Sequence, residues 1–172
     1  TCDPKSIIAS LKAREPVSIR GHASPVHEIR FRPDGTSVAT WGYDGKTRIW
    51  DAQSGAMLLA VEGHADGFDP EGNRLAFRSS QSYGVWTIVG GDCLWEVAEV
   101  EGDALSTVHL AWLGGGSVLA ADNHDEIVFW DVVSRRLLGR HSAEGLSDME
   151  KLPAKDELLI CQNDKLYSMR PG

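Results

Sequence analysis

The chain has 172 residues, of which 42% are hydrophobic and 24% are charged, a balance typical of a folded globular protein rather than a disordered one. Its length suits one domain with a sizeable core, or two small ones. The formal net charge is -8, and lysine and arginine are interspersed with acidic residues. Because nucleic-acid binding depends on clustered basic side chains, we expect no nucleic-acid partner.

The cysteines and the apolar runs indicate a cytoplasmic chain without a membrane partner. Cys2, Cys93 and Cys161 are far apart and odd in number, so they predict neither a disulfide framework nor a zinc knuckle. No stretch reaches the roughly 18 apolar residues of a membrane span, and the first residues do not form a signal peptide. The sequence also contains no GxSxG elbow and no phosphate-binding loop. We therefore expect no cofactor, no metal and no catalysis.

Short alternating runs bounded by glycine, aspartate or proline predict an all-β chain. At the N-terminus, SIIASLKARE leaves open a strand, a short helix or an irregular lead-in. The segment 14–20, which overlaps the end of that stretch, has the form of a β-strand that leads into the dipeptide Gly21-His22.

The next segment, residues 21–62, is the best-formed unit of an internal repeat. It contains GH, the strand VHEIRF, the turn PDG, a second strand, the turn YDGK and the sequence IWD. GH returns at residues 63–64, where unit two (63–101) begins. In unit two Phe68 follows His64 by four positions, whereas Phe31 follows His22 by nine. We therefore expect unit two to lack its innermost strand and to present an open edge. Its acidic stretch EGHADGFDPEGN lacks the ligand spacing of a calcium loop.

Two further units follow. In the third, residues 102–140, VFWD repeats the end of the first unit, but Asp103 and Ala121 replace the histidine and the threonine. The fourth, residues 141–170, offers three strands with Asp164 in a turn and Met169 near the place of the tryptophan. Because no outer strand follows, the N-terminal segment 14–20 is predicted to supply it.

These motifs resemble the WD-repeat family of β-propellers. The resemblance implies one domain, 1–172, of about four blades with four strands each, closed by the N-terminal strand or left as a partial propeller. It also implies a hydrogen-bonded tetrad formed by His22, Thr40, Asp44 and Trp50. A chain that lacks blades is expected to associate with itself or to belong to a longer protein.

The resemblance places the blade-connecting loops on one face, where a protein or peptide partner would bind. Trp41 stands where the family usually has a small residue, and it either anchors a partner or packs on a neighbouring blade. The candidate partner face consists of Ser24, Pro25, His27, Trp41, Tyr43, Asp66, Arg78, Asp122 and His124.

The function that this pattern favours is a non-catalytic interaction scaffold. A sensor or regulatory domain of a larger effector protein is one alternative. Another is a propeller enzyme with a central-channel site, for which the inner strands offer His27, Glu28, His109 and Asp148.

Overall fold

In the computed structural model the described residues are 18–79, 82–89, 94–100, 109–122, 125–152 and 155–170. They form four antiparallel sheets, each built from strands that are consecutive in sequence and adjacent in space. We call these sheets blades 1 to 4. Blade 1 contains β1 (Val26–Phe31), β2 (Ser37–Gly42), β3 (Lys46–Asp51) and β4 (Met57–Glu62). Blade 2 contains β5 (His64–Phe68), β6 (Arg74–Arg78), β7 (Tyr83–Val89) and β8 (Leu94–Val100). Blade 3 contains β9 (Leu110–Leu113), β10 (Val118–Asp122), β11 (Glu126–Asp131) and β12 (Arg136–Ser142). Blade 4 contains β13 (Leu146–Lys151), β14 (Leu158–Gln162) and β15 (Lys165–Met169).

Tight turns follow from local sequence. In blade 1 the Asp34 carboxylate accepts the backbone N–H of Thr36 at 2.9 Å, and Gly35 between them has φ +73°. A left-handed backbone of this kind favours glycine because a side chain would be strained there. The PDG turn is thereby fixed, and β1 and β2 pair with Phe31 opposite Val38.

Each blade packs on the next through its own hydrophobic core. We call the side of a blade that faces the preceding blade its leading face, and the opposite side its trailing face. Blades 1 and 2 share a core of Ala39, Ile49, Ala65, Leu75, Phe77 and Trp86. Blades 2 and 3 share Ala76, Tyr83, Val85, Trp112, Leu119, Ala121, Trp130 and Val132. Blades 3 and 4 share Ala111, Leu113, Ala120, Ile127, Ala143, Leu146, Met149, Leu158 and Ile160. The core is therefore divided into three parts, one at each junction.

The two ends of this row are open. Within the described ranges, no core joins the trailing face of blade 4 to the leading face of blade 1. Phe31 on blade 1 is 67% exposed, whereas Trp112, which holds the same place in blade 3, is 7% exposed. Leu166 on blade 4 is 68% exposed. The described blades thus form a partial propeller.

The expected loss of the innermost strand in unit two is wrong. Strand β5 pairs with β6 and sets Phe68 opposite Leu75, as Phe31 stands opposite Val38 in blade 1. The shortening falls on the loop between His22 and Val26 and on the start of the strand, because in blade 2 the strand already begins at His64. The acidic turn after Phe68 is an ordinary hairpin turn. Blade 2 has four strands and is not the open blade.

Blade 4 shows three strands in the part of the chain that is described, and β15 forms its edge. Met169 pairs with Leu158 as Trp50 pairs with Val38 in blade 1. The predicted N-terminal strand does not extend through residues 18–20, which lie outside any strand. Ile19 instead lines a groove on the leading face of blade 1.

The N-terminal residues 1–17, which include the start of that predicted strand, lie outside the described residues. Among those that are described, no helix combines the length and the apolar content needed to cross a membrane.

Candidate interaction face

A chain of hydrogen-bonded side chains fixes the loop that opens blade 1. His22 places Nε2 2.8 Å from Thr40 Oγ1 and Nδ1 3.1 Å from Asp44 Oδ1. The Trp50 indole N–H donates to Thr40 Oγ1 at 2.7 Å. These groups are buried or half-buried, so each bond satisfies a polar atom that would otherwise lose solvation without compensation. The loop before β1 is therefore tied to the middle of the blade.

Asp44 is the point where these bonds converge. Its carboxylate accepts the backbone N–H of Ala23 at 3.0 Å and of Lys46 at 3.3 Å, and Arg48 donates to it at 2.8 Å. Burial alone would raise the pKa of this carboxyl, but the hydrogen bonds from Ala23, His22, Lys46 and Arg48 outweigh it and hold the pKa well below its usual value. Asp44 therefore stays ionised.

Four rings from blades 1 and 2 form an aromatic cluster, which consists of His27, Trp41, Tyr43 and His64. The ring of Trp41 lies 5.5 Å from that of His27, 5.9 Å from that of Tyr43 and 4.4 Å from that of His64. The Tyr43 N–H donates to the Pro25 carbonyl at 3.1 Å, which holds the turn against the loop. Trp41 thus both packs on the neighbouring blade and stands beside an exposed tyrosine.

Beneath the cluster an ionic network joins blades 1 and 2. Glu28 on β1 lies 3.1 Å from His64 Nε2 and 3.0 Å from the Arg30 guanidinium. Arg30 also donates to the Asp66 carbonyl at 2.9 Å, and Arg78 Nε donates to the Asp66 carboxylate at 3.2 Å. The sequence did not indicate Arg30. Its only signal was alternation, since Glu28 and Arg30 lie on the same side of β1.

Burial shifts the pKa values of two members of this network. Burial, with the charge of Glu28 adding to it, raises the pKa of Asp66 to about 7 even though Arg78 and Arg30 oppose the shift. Burial, together with the charge of Arg78, lowers the pKa of His64 even though Glu28 opposes that change. The two groups therefore favour their neutral forms.

The Asp66 shift predicts a pH dependence of stability. Between pH 4 and 7 folded Asp66 keeps a proton that the unfolded chain has released, so this group makes stability fall as pH rises, by up to ~1.4 kcal/mol per pH unit. Asp66→Asn removes the effect. As pH rises from 4.5 to 7, we expect the free energy of unfolding of the variant to increase relative to that of the parent. Urea denaturation measures both.

Asp164→Asn provides the control for this pH dependence, because Asp164 lies in an exposed turn. Its profile should run parallel to that of the parent. Parallel profiles for Asp66→Asn as well would show that Asp66 titrates normally.

A second polar group connects blades 3 and 4. His109 Nδ1 lies 2.7 Å from Asp122 Oδ2, and Nε2 lies 3.6 Å from Asp148 Oδ1. The hydrogen bond to Asp122 raises the pKa of His109, although burial opposes it. Asp122 is buried, and its Oδ1 has no hydrogen-bond partner among the described residues. This pair stabilises the inner edge of blade 3.

The predicted face residues divide by accessibility. His27 and Tyr43 are exposed and Trp41 is half-buried beside them, whereas Asp66 and Asp122 turn into the ionic contacts above. The remaining predicted residues are Pro25, which is exposed, Ser24, which lines the blade 1 groove, Arg78, which is half-buried, and His124, which lies outside the described residues.

The residues considered for a channel enzyme form two pairs, His27 with Glu28 at 3.9 Å and His109 with Asp148 at 3.6 Å. Within the described ranges, no group of three or more histidine, cysteine or acidic side chains is placed to hold a metal.

Repeated four-stranded blades and the hydrogen bonds around His22 give the chain the architecture of a WD-repeat β-propeller, and the relatives that it resembles are WD-repeat proteins. It is 29% identical over 123 residues to the small ribosomal subunit protein RACK1y of Oryza sativa subsp. japonica, 38% over 64 residues to coronin-7 of Mus musculus and 29% over 135 residues to THO complex subunit 3 of Arabidopsis thaliana. These matches cover 66%, 34% and 72% of this chain, but only 37%, 7% and 41% of the relatives. No protein-family model matches the chain.

Two solved structures share the fold. A chain of the mitotic checkpoint complex matches with a TM-score of 0.73 and 14% identity, over 90% of this chain and 50% of that one. The computationally designed Ika4 protein matches with a TM-score of 0.72 and 21% identity, over 93% of this chain and 99% of that one. The first match aligns this fold with half of a larger chain, and the second aligns it with nearly the whole of a solved chain.

Proposed function

We propose that the chain is a non-catalytic scaffold that binds a protein or peptide partner on the connecting-loop face, around the aromatic cluster. The observation that carries the proposal is the packing of His27, Trp41 and Tyr43 against one another, with Tyr43 64% exposed. The relatives support a scaffold role, since the names of two of them, a ribosomal subunit protein and a THO complex subunit, refer to multi-protein assemblies.

The physical basis is preorganisation. Large aromatic side chains provide much contact area with few rotatable bonds, and here Trp41 is already held by His64 from the next blade. A partner that covers these rings would therefore lose little of its binding energy to ordering them. The hydroxyl of Tyr43 and the ring nitrogens of His27 would provide polar contacts at the rim.

Partner binding is tested by replacing Trp41 and Tyr43 together with alanine. A peptide selected from a random displayed library on the parent chain is used as the probe. We expect its dissociation constant to rise by at least about tenfold in the double variant, because interface hot spots contribute about 2 kcal/mol or more each. Fluorescence polarisation measures the affinity.

The control for this experiment is Tyr167→Ala, which removes an exposed tyrosine from blade 4. Circular dichroism must show both variants to be folded. Unchanged affinity in the folded double variant would refute the proposed face, and equal losses in both variants would place the site elsewhere.

The proposal includes a cytoplasmic location, absence of nucleic-acid and membrane partners, and self-association that completes the propeller. The chain spans 41% or less of the curated relatives, so the activities of those whole proteins are not assigned to it.

A further inference from the structure

The leading face of blade 1 is an apolar surface on which none of the described blades packs. A groove of about 640 Å³ runs along it beside the tetrad. Its apolar side chains are Ile19, Val26, Ile29, Phe31, Val38 and Trp50. Three of these, Val26, Ile29 and Phe31, are exposed.

The other blades show what such a face binds. In blade 1, Phe31 and Trp50 both pair with Val38. In blade 3, Trp112 and Trp130 both pair with Leu119. These three residues of blade 3 are therefore equivalent to the three of blade 1. In blade 3 these side chains pack on the trailing face of blade 2, formed by Ala76, Tyr83 and Val85. The leading face of blade 1 is therefore built to receive the trailing face of another blade.

The trailing face of blade 4 is not covered by any of the described blades. In blade 4, Leu159 stands opposite Ser168 and Cys161 opposite Leu166. The corresponding pairs of blade 2 are Ala76 with Val85 and Arg78 with Tyr83. Leu166 therefore holds the place of Tyr83, which is 4% exposed in blade 2. The exposure of Leu166 marks the position where a following blade would pack.

The charges at the two ends are complementary. On the trailing side of blade 4, Glu150 stands opposite Leu159 and is exposed. On the groove of blade 1 the charged lining residue is Arg20. Opposite charges at the rim favour this pairing over the pairing of two identical ends.

The free edge of blade 4 fits the same arrangement. The strand that precedes each inner strand belongs to the outer edge of the previous blade: β4 precedes β5, and β12 precedes β13. Blade 4 has that edge free at β15 in the described part of the chain.

We propose that a second copy of the chain packs its blade 4 on blade 1, and the reverse, so that two copies joined head to tail complete one eight-bladed ring. The inference rests on the self-association named in the proposed function and assigns its surfaces. Closure within a single chain would bury Phe31 and Leu166 together, whereas both are exposed and no core among the described residues joins their blades. Two half-rings related by a two-fold axis close both junctions at once.

Solution mass by light scattering tests the ring. We expect the 172-residue chain to have twice its mass of 18.7 kDa. Phe31→Glu and Leu166→Glu should each shift the mass to that of one chain at the same concentration, because each places a charge in both junctions. Val133→Glu is the matched control: Val133 is 66% exposed, but it lies in a turn of blade 3, and its variant should stay dimeric.

Mixing the two variants makes the test specific for head-to-tail pairing. The Phe31→Glu chain keeps an intact trailing face and the Leu166→Glu chain an intact leading face, so the mixture regains one unmodified junction and should recover dimers. A monomeric parent chain, open-ended polymers, or a mixture that stays monomeric would each overturn the proposal.

Two further checks separate folding and partner binding from assembly. Circular dichroism confirms that each variant is folded, and if one does not fold, the other still tests its own face against the parent. Peptide binding at Trp41 and Tyr43 should persist in both variants, so a failure of the ring and a failure of the partner face give different results.

Discussion

Replacing Trp112 with alanine is expected to lower the free energy of unfolding by about 3 to 5 kcal/mol, the range for removing a large buried aromatic side chain. Trp112 lies in the core between blades 2 and 3, and its indole N–H donates to the Gly67 carbonyl at 2.9 Å. The change therefore leaves a cavity at a blade junction and an unpaired carbonyl. Urea denaturation followed by far-ultraviolet circular dichroism measures the loss.

Phe31→Ala is the control for Trp112→Ala, since the two aromatic residues hold equivalent places in their blades. Under dilution that keeps the chain monomeric, Phe31→Ala should cost less than about 1 kcal/mol, because an exposed side chain loses little on truncation. Similar losses in the two variants would show that blade 1 is covered in the monomer, and would contradict the open row of blades.

The second large effect is expected for Thr40→Val. The substitution keeps the shape of the side chain but removes the hydroxyl that accepts the indole N–H of Trp50 and contacts the ring of His22. Two polar groups then lose their partner in a largely buried setting, which costs about 1 to 3 kcal/mol. Thermal and urea unfolding of blade 1, followed by tryptophan fluorescence, should both show the loss.

Thr36→Val makes the same chemical change at an exposed turn, where the Thr36 hydroxyl donates to Asp34 at 2.8 Å. It should change stability by at most about 0.5 kcal/mol. If Thr40→Val proves as mild as Thr36→Val, the hydrogen bonds around His22 do not hold the blade together.

Sequence alone predicted the all-β class and the repeat because turn residues and tryptophans recur at fixed distances. The places of Thr40 and Trp50 follow from such distances within one blade. The strand count of unit two did not, because a deletion of five residues can remove either a loop or a strand. Packing decides whether a loop or a strand is lost. The rings of Phe77 and Trp86 stack with their centroids 4.3 Å apart in the core that blades 1 and 2 share, and β5 is needed to cover that core.

The candidate face stays a prediction, although the positions of some of its residues follow from the repeat. The positions of Trp41 and Tyr43 in the blade follow from the YDGK turn, since Tyr43 begins that turn and Trp41 lies two residues before it. The contacts of Glu28 with His64 and of Arg30 with Asp66 join residues of different blades. No spacing along the chain reports which of these charges meet, so the burial of Asp66 was not predictable.

The division of the core into three separate junctions has a consequence for cooperativity. In such a row each blade is stabilised only by its nearest neighbours, as in a one-dimensional array of repeats. Among the described residues, blades 2 and 3 each pack on two neighbours, whereas blades 1 and 4 each pack on one. An isolated chain should therefore fray from its ends inward, and closing the ring would remove the ends and make unfolding a single concerted transition.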